Sequence, residues 1–191
     1  MKTNRLLTAA ALLMAACSQP QPDGDFVSWV DPKIGTGGHG HVFVGANVPF
    51  GMVQVGPTSI PQSWDWCSGY HESDSTVIGF SHTHLSGTGI GDLFDVTLMP
   101  VVGEVAYARG TEEDPQSGLW SYADRSKEVA VPGYYSVPLT RYGVTAEMTA
   151  TSRVGLHRYT FPEADDAAVV FDLENGGCWD KATDTGLKAE G

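Results

Sequence analysis

The stretch "VTAEMTA", Val144 to Ala150, sets Val144, Ala146, Met148 and Ala150 in alternation with Thr145, Glu147 and Thr149. Successive side chains of an extended chain point to opposite faces, so this pattern predicts a strand with one face buried. "VGLHRYTF", Val154 to Phe161, reads as its hairpin partner across Thr151 to Arg153. "GMVQVGP", "DVTLMPVVGEVAY", "GYYSVPL" and "AAVVFDL" complete the set of short apolar runs. Helical periodicity is nearly missing after residue 20, and 23 glycines, with Pro, Asn and Asp, cut the chain into short pieces. Together these features predict an all-β fold, an antiparallel β-sandwich. Pro100 and Pro138 fall in or beside runs, which predicts that their strands are edges or bend there. The run from Ala168 to Leu173 reads as a buried strand, and the sequence stops soon after it without a closing element. The expectation is a sandwich incomplete at its C-terminal end, with an edge exposed.

The N-terminus is a different kind of segment. Lys2 and Arg5 precede an apolar run from Leu6 to Met14 and then Ala15-Ala16-Cys17. A basic start, a short apolar core and small residues before a cut make a secretion signal over residues 1–16. The run is too short to span a bilayer as a helix. Cysteine after two alanines resembles the bacterial lipobox, with Met14 where Leu is usual, so Cys17 is the expected lipidation site. Residues 17–25, with "SQPQPDGD", read as a solvated tether. Residues 26–191 are then the sandwich domain, in the bacterial cell envelope and held to the membrane only through the acyl anchor.

Without Lys2 and Arg5 the formal charge moves from -12 to -14. Such a chain repels nucleic-acid phosphates, which excludes a nucleic-acid partner, and it repels anionic lipid. Cys67 and Cys178 remain after cleavage in an oxidising compartment. They could pair, although two cysteines this far apart are weak evidence for a bridge.

Polar chemistry concentrates in three stretches. "GTGGHGHVFVGA" holds His39 and His41, and "GFSHTHLSGTG" holds His82 and His84. On a strand, residues i and i+2 share a face, so each pair could chelate a divalent metal, with Asp92, Asp95 or His71 as a third ligand. The glutamate that follows such a pair in cupins is missing. Glycine-flanked histidines could equally donate hydrogen bonds to backbone or ligand. No Gly-x-Ser-x-Gly elbow supports a serine hydrolase. "GTGGHG" lacks the Lys-Ser/Thr of a phosphate loop. "SWDWCSGY", Ser63 to Tyr70, brings Trp64 and Trp66 around Asp65. A Trp face with polar groups at its rim suits the C–H face of a pyranose. If the stretch is a strand, both rings share a side and at least one faces solvent or ligand. The three stretches together suggest a carbohydrate site.

The long motifs "DPKIGTGGHGHVFVGANVPFGMVQVGP", "WDWCSGYH", "IGFSHTHLSGTGIGD", "PGYYSV" and "VTAEMTATSRVGLHRYTFP" resemble the N-terminal domain of glycoside hydrolase family 92, from about Trp29 to Asn175. Those are calcium-dependent, inverting exo-α-mannosidases. Val44 departs from the proline more usual in the family. The resemblance implies a sandwich packed on a C-terminal (α/α)6 barrel, which supplies the catalytic Glu and Asp and most calcium ligands. No catalytic residue and no metal ligand is then expected in this chain. The implied substrate contacts are Gly37, Gly38, His39, Trp64, Asp65, Cys67, His82, Thr83 and His84, with Trp64 against the leaving sugar of α-1,2-linked mannose. The implied partner is a mannose-containing glycan. Nothing in the spacing of Asp65 and Asp92 marks them as an acid/base pair. A non-catalytic carbohydrate-binding lipoprotein is the alternative.

Overall fold

The computed structural model describes residues 24–114, 117–174 and 183–188. The signal segment 1–16, Cys17, most of the tether and Cys178 lie outside the described residues. Among the described residues there is no α-helix. None of the helices there is long and apolar enough to cross a membrane. Three short 3-10 turns occur, at Phe26–Trp29, Trp64–Trp66 and Arg125–Lys127. The rest of the regular structure is β1 (Ala46–Asn47), β2 (Gln54–Thr58), β3 (Thr76–Val77), β4 (Gly79–Ser81), β5 (Thr97–Val102) and β6 (Ser121–Tyr122). It continues with β7 (Val129–Val131), β8 (Tyr134–Leu139), β9 (Val144–Ala150), β10 (Gly155–Thr160) and β11 (Ala167–Asp172).

One sheet has the order β1-β2-β4-β5-β11 and the other β10-β9-β8-β7; β3 and β6 form a separate ribbon. Every pairing is antiparallel. The β9–β10 hairpin forms as its alternation dictates, with Gly155 opposite Ala150 and Thr160 opposite Thr145. Val144, Ala146 and Met148 are buried, while Glu147 and Thr149 point outward. Tyr135, Val137 and Leu139 of β8 join them, and Val55, Phe80, Met99 and Val101 of the other sheet complete the core. Burying a side chain of this size is worth about 1.5–3 kcal/mol, so this interface is the main stabilising term of the fold.

Two strand expectations need correction. Neither proline lies on an edge strand. Pro100 is in β5, between β4 and β11, but the β4–β5 ladder consists of Phe80 opposite Leu98 and stops short of it. Pro138 is in β8, between β7 and β9, but β7 reaches only as far as Ser136. Each proline sits where one neighbour has ended, the kind of position at which a strand tolerates a missing N–H. The strand read as buried, β11, is the edge of its sheet. It is mostly exposed, with Phe171 turned to solvent, because among the described residues β5 alone flanks it.

A buried charge centre ties the N-terminal loop to the sandwich. The Glu128 side chain is fully buried. It receives Lys33 and Arg125, the Tyr135 hydroxyl at 2.5 Å and the Tyr70 hydroxyl at 3.1 Å. Arg125 also donates to Asp74 O at 2.7 Å and lies over the Tyr70 ring. Burial works to raise the Glu128 carboxyl, but Arg125, Lys33 and Tyr135 outweigh it and hold it below the usual carboxylate range. Two cations and two hydroxyls on one carboxylate meet the condition under which a buried charge is tolerated.

Candidate functional site

The loop carrying His39 and His41 doubles back on itself. A side chain on Gly40 would place its Cβ 1.9 Å from Gly35 O, so only glycine allows this crossing. His41 then adopts a φ of +53°, which a residue with a Cβ takes at a cost. The effect is to turn its ring inward. His41 is buried, while the neighbouring His39 side chain is 77% exposed.

Both rings meet the "WDW" segment, which is a 3-10 turn and not a strand. The two tryptophans therefore part company. Trp66 donates from Nε1 to Asp74 Oδ2 at 2.6 Å and stacks on His71 at 4.2 Å, a structural role. Trp64 remains 52% exposed. Its ring lies 4.2 Å from that of His41 and 5.7 Å from that of His39, and its Nε1 donates to Gly89 O at 2.6 Å. Gly89 fits because a Cβ there would crowd Trp64 at 3.0 Å and because its φ is +62°. Between the tryptophans, one oxygen of Asp65 lies 2.6 Å from His39 Nδ1 and 3.1 Å from His41 Nε2. The hydrogen bond from His39 is the largest influence on the Asp65 carboxyl; burial opposes it, and with the lesser hydrogen bond from His41 the carboxyl is held below its ordinary range.

The second histidine loop comes to the first. Gly87 N donates to His41 O at 2.6 Å, and Ser68 Oγ donates to the same carbonyl at 2.6 Å. Its own histidines do not act as a pair, because β4 ends at Ser81 and the chain turns away from strand geometry. His82 bonds through Nδ1 to Val96 O at 2.7 Å and through Nε2 to His157 Nε2 at 3.0 Å; His157 Nδ1 reaches the Tyr159 hydroxyl at 2.8 Å. His84 goes inward, between Phe43 and Phe94. Its Nδ1 is 3.4 Å from Asp92 Oδ2, near enough for charge attraction, yet neither ring nitrogen makes a hydrogen bond. Asp92 is instead engaged by the backbone N–H groups of Leu85 and Leu93. Thr83 accepts from Asp95 N at 2.9 Å.

The residues expected to touch substrate thus divide. Gly38, His39, Trp64 and Asp65 gather on one accessible patch, with Gly37 half-buried beside Glu72. His82 and Thr83 are half-buried on the neighbouring loop. Cys67 and His84 are buried. The Cys67 thiol is free, packs on Phe94 and is pushed up by burial. The carboxylate that meets a whole His-x-His pair is Asp65 and not Asp92, Asp95 or His71, and among the described residues only the first pair gathers with a third group in this way. His71 is taken by Ser73 and Trp66. The His82–His157 contact was not foreseen, because nothing local links residues 75 apart.

The family model for the glycosyl hydrolase family 92 N-terminal domain matches residues 29–191. The chain belongs to glycoside hydrolase family 92. It is 44% identical to a family GH92 α-mannosidase from Bacteroides thetaiotaomicron, solved in complex with mannoimidazole. That match has a TM-score of 0.79 and covers 83% of this chain and 21% of that one. A GH92 inverting mannosidase from Bacteroides thetaiotaomicron VPI-5482 matches at 28% identity and a TM-score of 0.66, over 81% of this chain and 20% of that one. An uncharacterized secreted glycosidase of Arthroderma benhamiae is 33% identical over 161 residues, 82% of this chain and 20% of its own length. This family 92 chain therefore spans about a fifth of the length of the relatives it matches.

The calcium expected from the family has no fitting donors in the patch. Calcium takes six to eight oxygens. The His39–His41–Asp65 grouping offers two nitrogens and one carboxylate.

Proposed function

We propose that this chain is the substrate-contacting N-terminal part of a secreted, lipid-anchored α-mannosidase. In this reading the enzyme removes terminal α-1,2-linked mannose from N-glycans or mannans with inversion. The match to the α-mannosidase of Bacteroides thetaiotaomicron carries the reading. Inversion needs two carboxyl groups about 6.5–9.5 Å apart, one a proton donor and one free to activate water. Asp65 is occupied by two imidazoles and Asp92 by two backbone N–H groups, so neither is poised for those roles. The resemblance to family 92 implies that the acid, the base and most calcium ligands belong to a C-terminal (α/α)6 domain, and the engagement of Asp65 and Asp92 is consistent with that assignment. Exposed Leu85, Ile90 and Leu93, next to the polar patch, support a covering element on that side.

Within this scheme Trp64 is the platform for the leaving sugar. Its half-exposed ring is fixed at its rim by Gly89 and at its face by His41, so stacking costs little ordering. His39, the most exposed polar group there, is placed to donate to a sugar hydroxyl. The anchor at Cys17 follows from the lipobox-like sequence, and a location outside the cytoplasm accords with the secreted Arthroderma relative.

The test compares this chain alone with the same chain continued by whatever reading frame follows Gly191. Hydrolysis of α-1,2-mannobiose is expected only from the continued protein, with β-mannose as the first-formed anomer. Turnover by the 191-residue chain at an ordinary glycosidase rate would overturn the assignment of acid and base. Mannose binding without any downstream hydrolase domain would favour the binding-lipoprotein alternative. Cys17→Ser is expected to release the protein from the membrane fraction; unchanged partitioning would remove the anchor from the proposal.

A further inference from the structure

We infer that His39, His41 and Asp65 form a binding site for a divalent transition metal of the zinc class, separate from the family's calcium. His39 Nδ1, His41 Nε2 and a carboxylate oxygen of Asp65 all lie within 4.8 Å of one another. In a tetrahedral zinc site, bonds of about 2.0–2.1 Å put neighbouring donors about 3.3 Å apart. The present separations from Asp65 are 2.6 and 3.1 Å. An ion would part these donors by less than about 1 Å. Two imidazoles and one carboxylate suit zinc, cobalt or iron(II), and an all-oxygen cation poorly.

The loops look built for this convergence. His41 holds a positive φ, and strained backbone of this kind collects at functional sites. The residue before it, Gly40, is packed so tightly on Gly35 that a Cβ there would lie 1.9 Å from the Gly35 carbonyl oxygen. The His41 ring is seated against Trp64, which is itself pinned to Gly89. The buried ligand is therefore preorganised, Asp65 is placed by the 3-10 turn, and the exposed His39 closes the set from the solvent side. Three protein ligands leave a tetrahedral ion one open position, on the side where His39 meets water. A hydrogen-bonded His–Asp–His cluster with no ion is the competing explanation of the same distances. The inference concerns this chain alone and holds or fails independently of the mannosidase reading.

Zinc titration of the purified, chelator-stripped protein by calorimetry tests it, with cobalt(II) as a spectroscopic probe. One equivalent of zinc should bind, and excess calcium should not displace it. Cobalt should give visible d–d bands without a sulfur charge-transfer band, since no cysteine is a ligand. His39→Ala and Asp65→Asn should each weaken zinc by more than about 100-fold, the upper range for losing a mere supporting group. His39 is exposed, so its variant stays folded and keeps the test decisive should His41→Ala fail to fold. Absence of stoichiometric binding, a sulfur band, or retained affinity in both His39→Ala and Asp65→Asn would overturn the site.

Discussion

The two His-x-His pairs share their spacing and their glycine-rich company, yet they end in opposite surroundings. His39 and His41 converge on Asp65 at the surface. His82 and His84 diverge, one to a histidine of the facing sheet and the other into an aromatic slot. Alternation brings i and i+2 to one face only while the backbone stays extended. In neither pair does it. In the first, the positive φ at His41 redirects the ring toward a partner on another loop. In the second, the strand has already ended. A chelating spacing therefore reports what two residues can do, and the backbone between them decides whether they do it.

The sharpest way to break this comparison is to truncate one histidine from each role. His84 lies between Phe43 and Phe94 with no exposed side chain. His84→Ala removes that packing and should cost about 2–4 kcal/mol in denaturant unfolding, as large-to-small core changes do. A value under about 0.5 kcal/mol would mean that the slot collapses without loss, or that the ring is not a core element.

The next largest effect is expected from pH, at His157, the ring that meets His82 of the second pair. His157 is held down to about 4, chiefly by burial and further by charge on His82. The unfolded chain keeps an ordinary imidazole near 6.5, so between those values the unfolded state binds the extra proton. Stability from this group is complete above about pH 6.5 and is lost as pH falls toward 4. At 1.36 kcal/mol per pKa step, partly screened, the loss is about 2–3 kcal/mol. Unfolding free energies of the parent and His157→Gln across pH 7 to 4 should converge at the acid end. Parallel curves would show that the ring is not buried as described.

A smaller effect is expected for the first pair's aromatic neighbour. In the continued enzyme, Trp64→Ala should lower kcat/KM on α-1,2-mannobiose by about 5–30-fold, equivalent to about 1–2 kcal/mol of lost stacking after ordering costs. An aryl mannoside should suffer much less. Equal losses on both, with a lower Tm, would return Trp64 to a purely structural role. The smallest effect belongs to His39→Ala. Without metal, this exposed residue should shift stability by no more than about 0.5 kcal/mol, so the two histidine environments should differ several-fold in the same assay.

Much of the fold could be read locally. The β9–β10 hairpin follows from residues 144 to 161, because period-two burial is written into one short segment. The position of β11 could not, since which strand lies at an edge depends on what pairs with it elsewhere. The site divides in the same way. Trp64 was marked by its residue type, and His39 by its glycines. That Asp65 joins His39 and His41 rests on contacts across 24 and 26 residues. The burial of Cys67 depends on Phe94, in another loop. Such residues look alike in the sequence and are sorted by distant neighbours.

The Glu128 centre also has a mechanical consequence. The turn at Phe26–Trp29 buries none of its side chains, so little resists its peeling away. Lys33, next along the chain, is fastened to a carboxylate sealed inside the sandwich and shared with Arg125 and two tyrosines. A pull applied to the chain on the N-terminal side of Lys33 would therefore be taken up at Lys33 and spread into β8 through Tyr135.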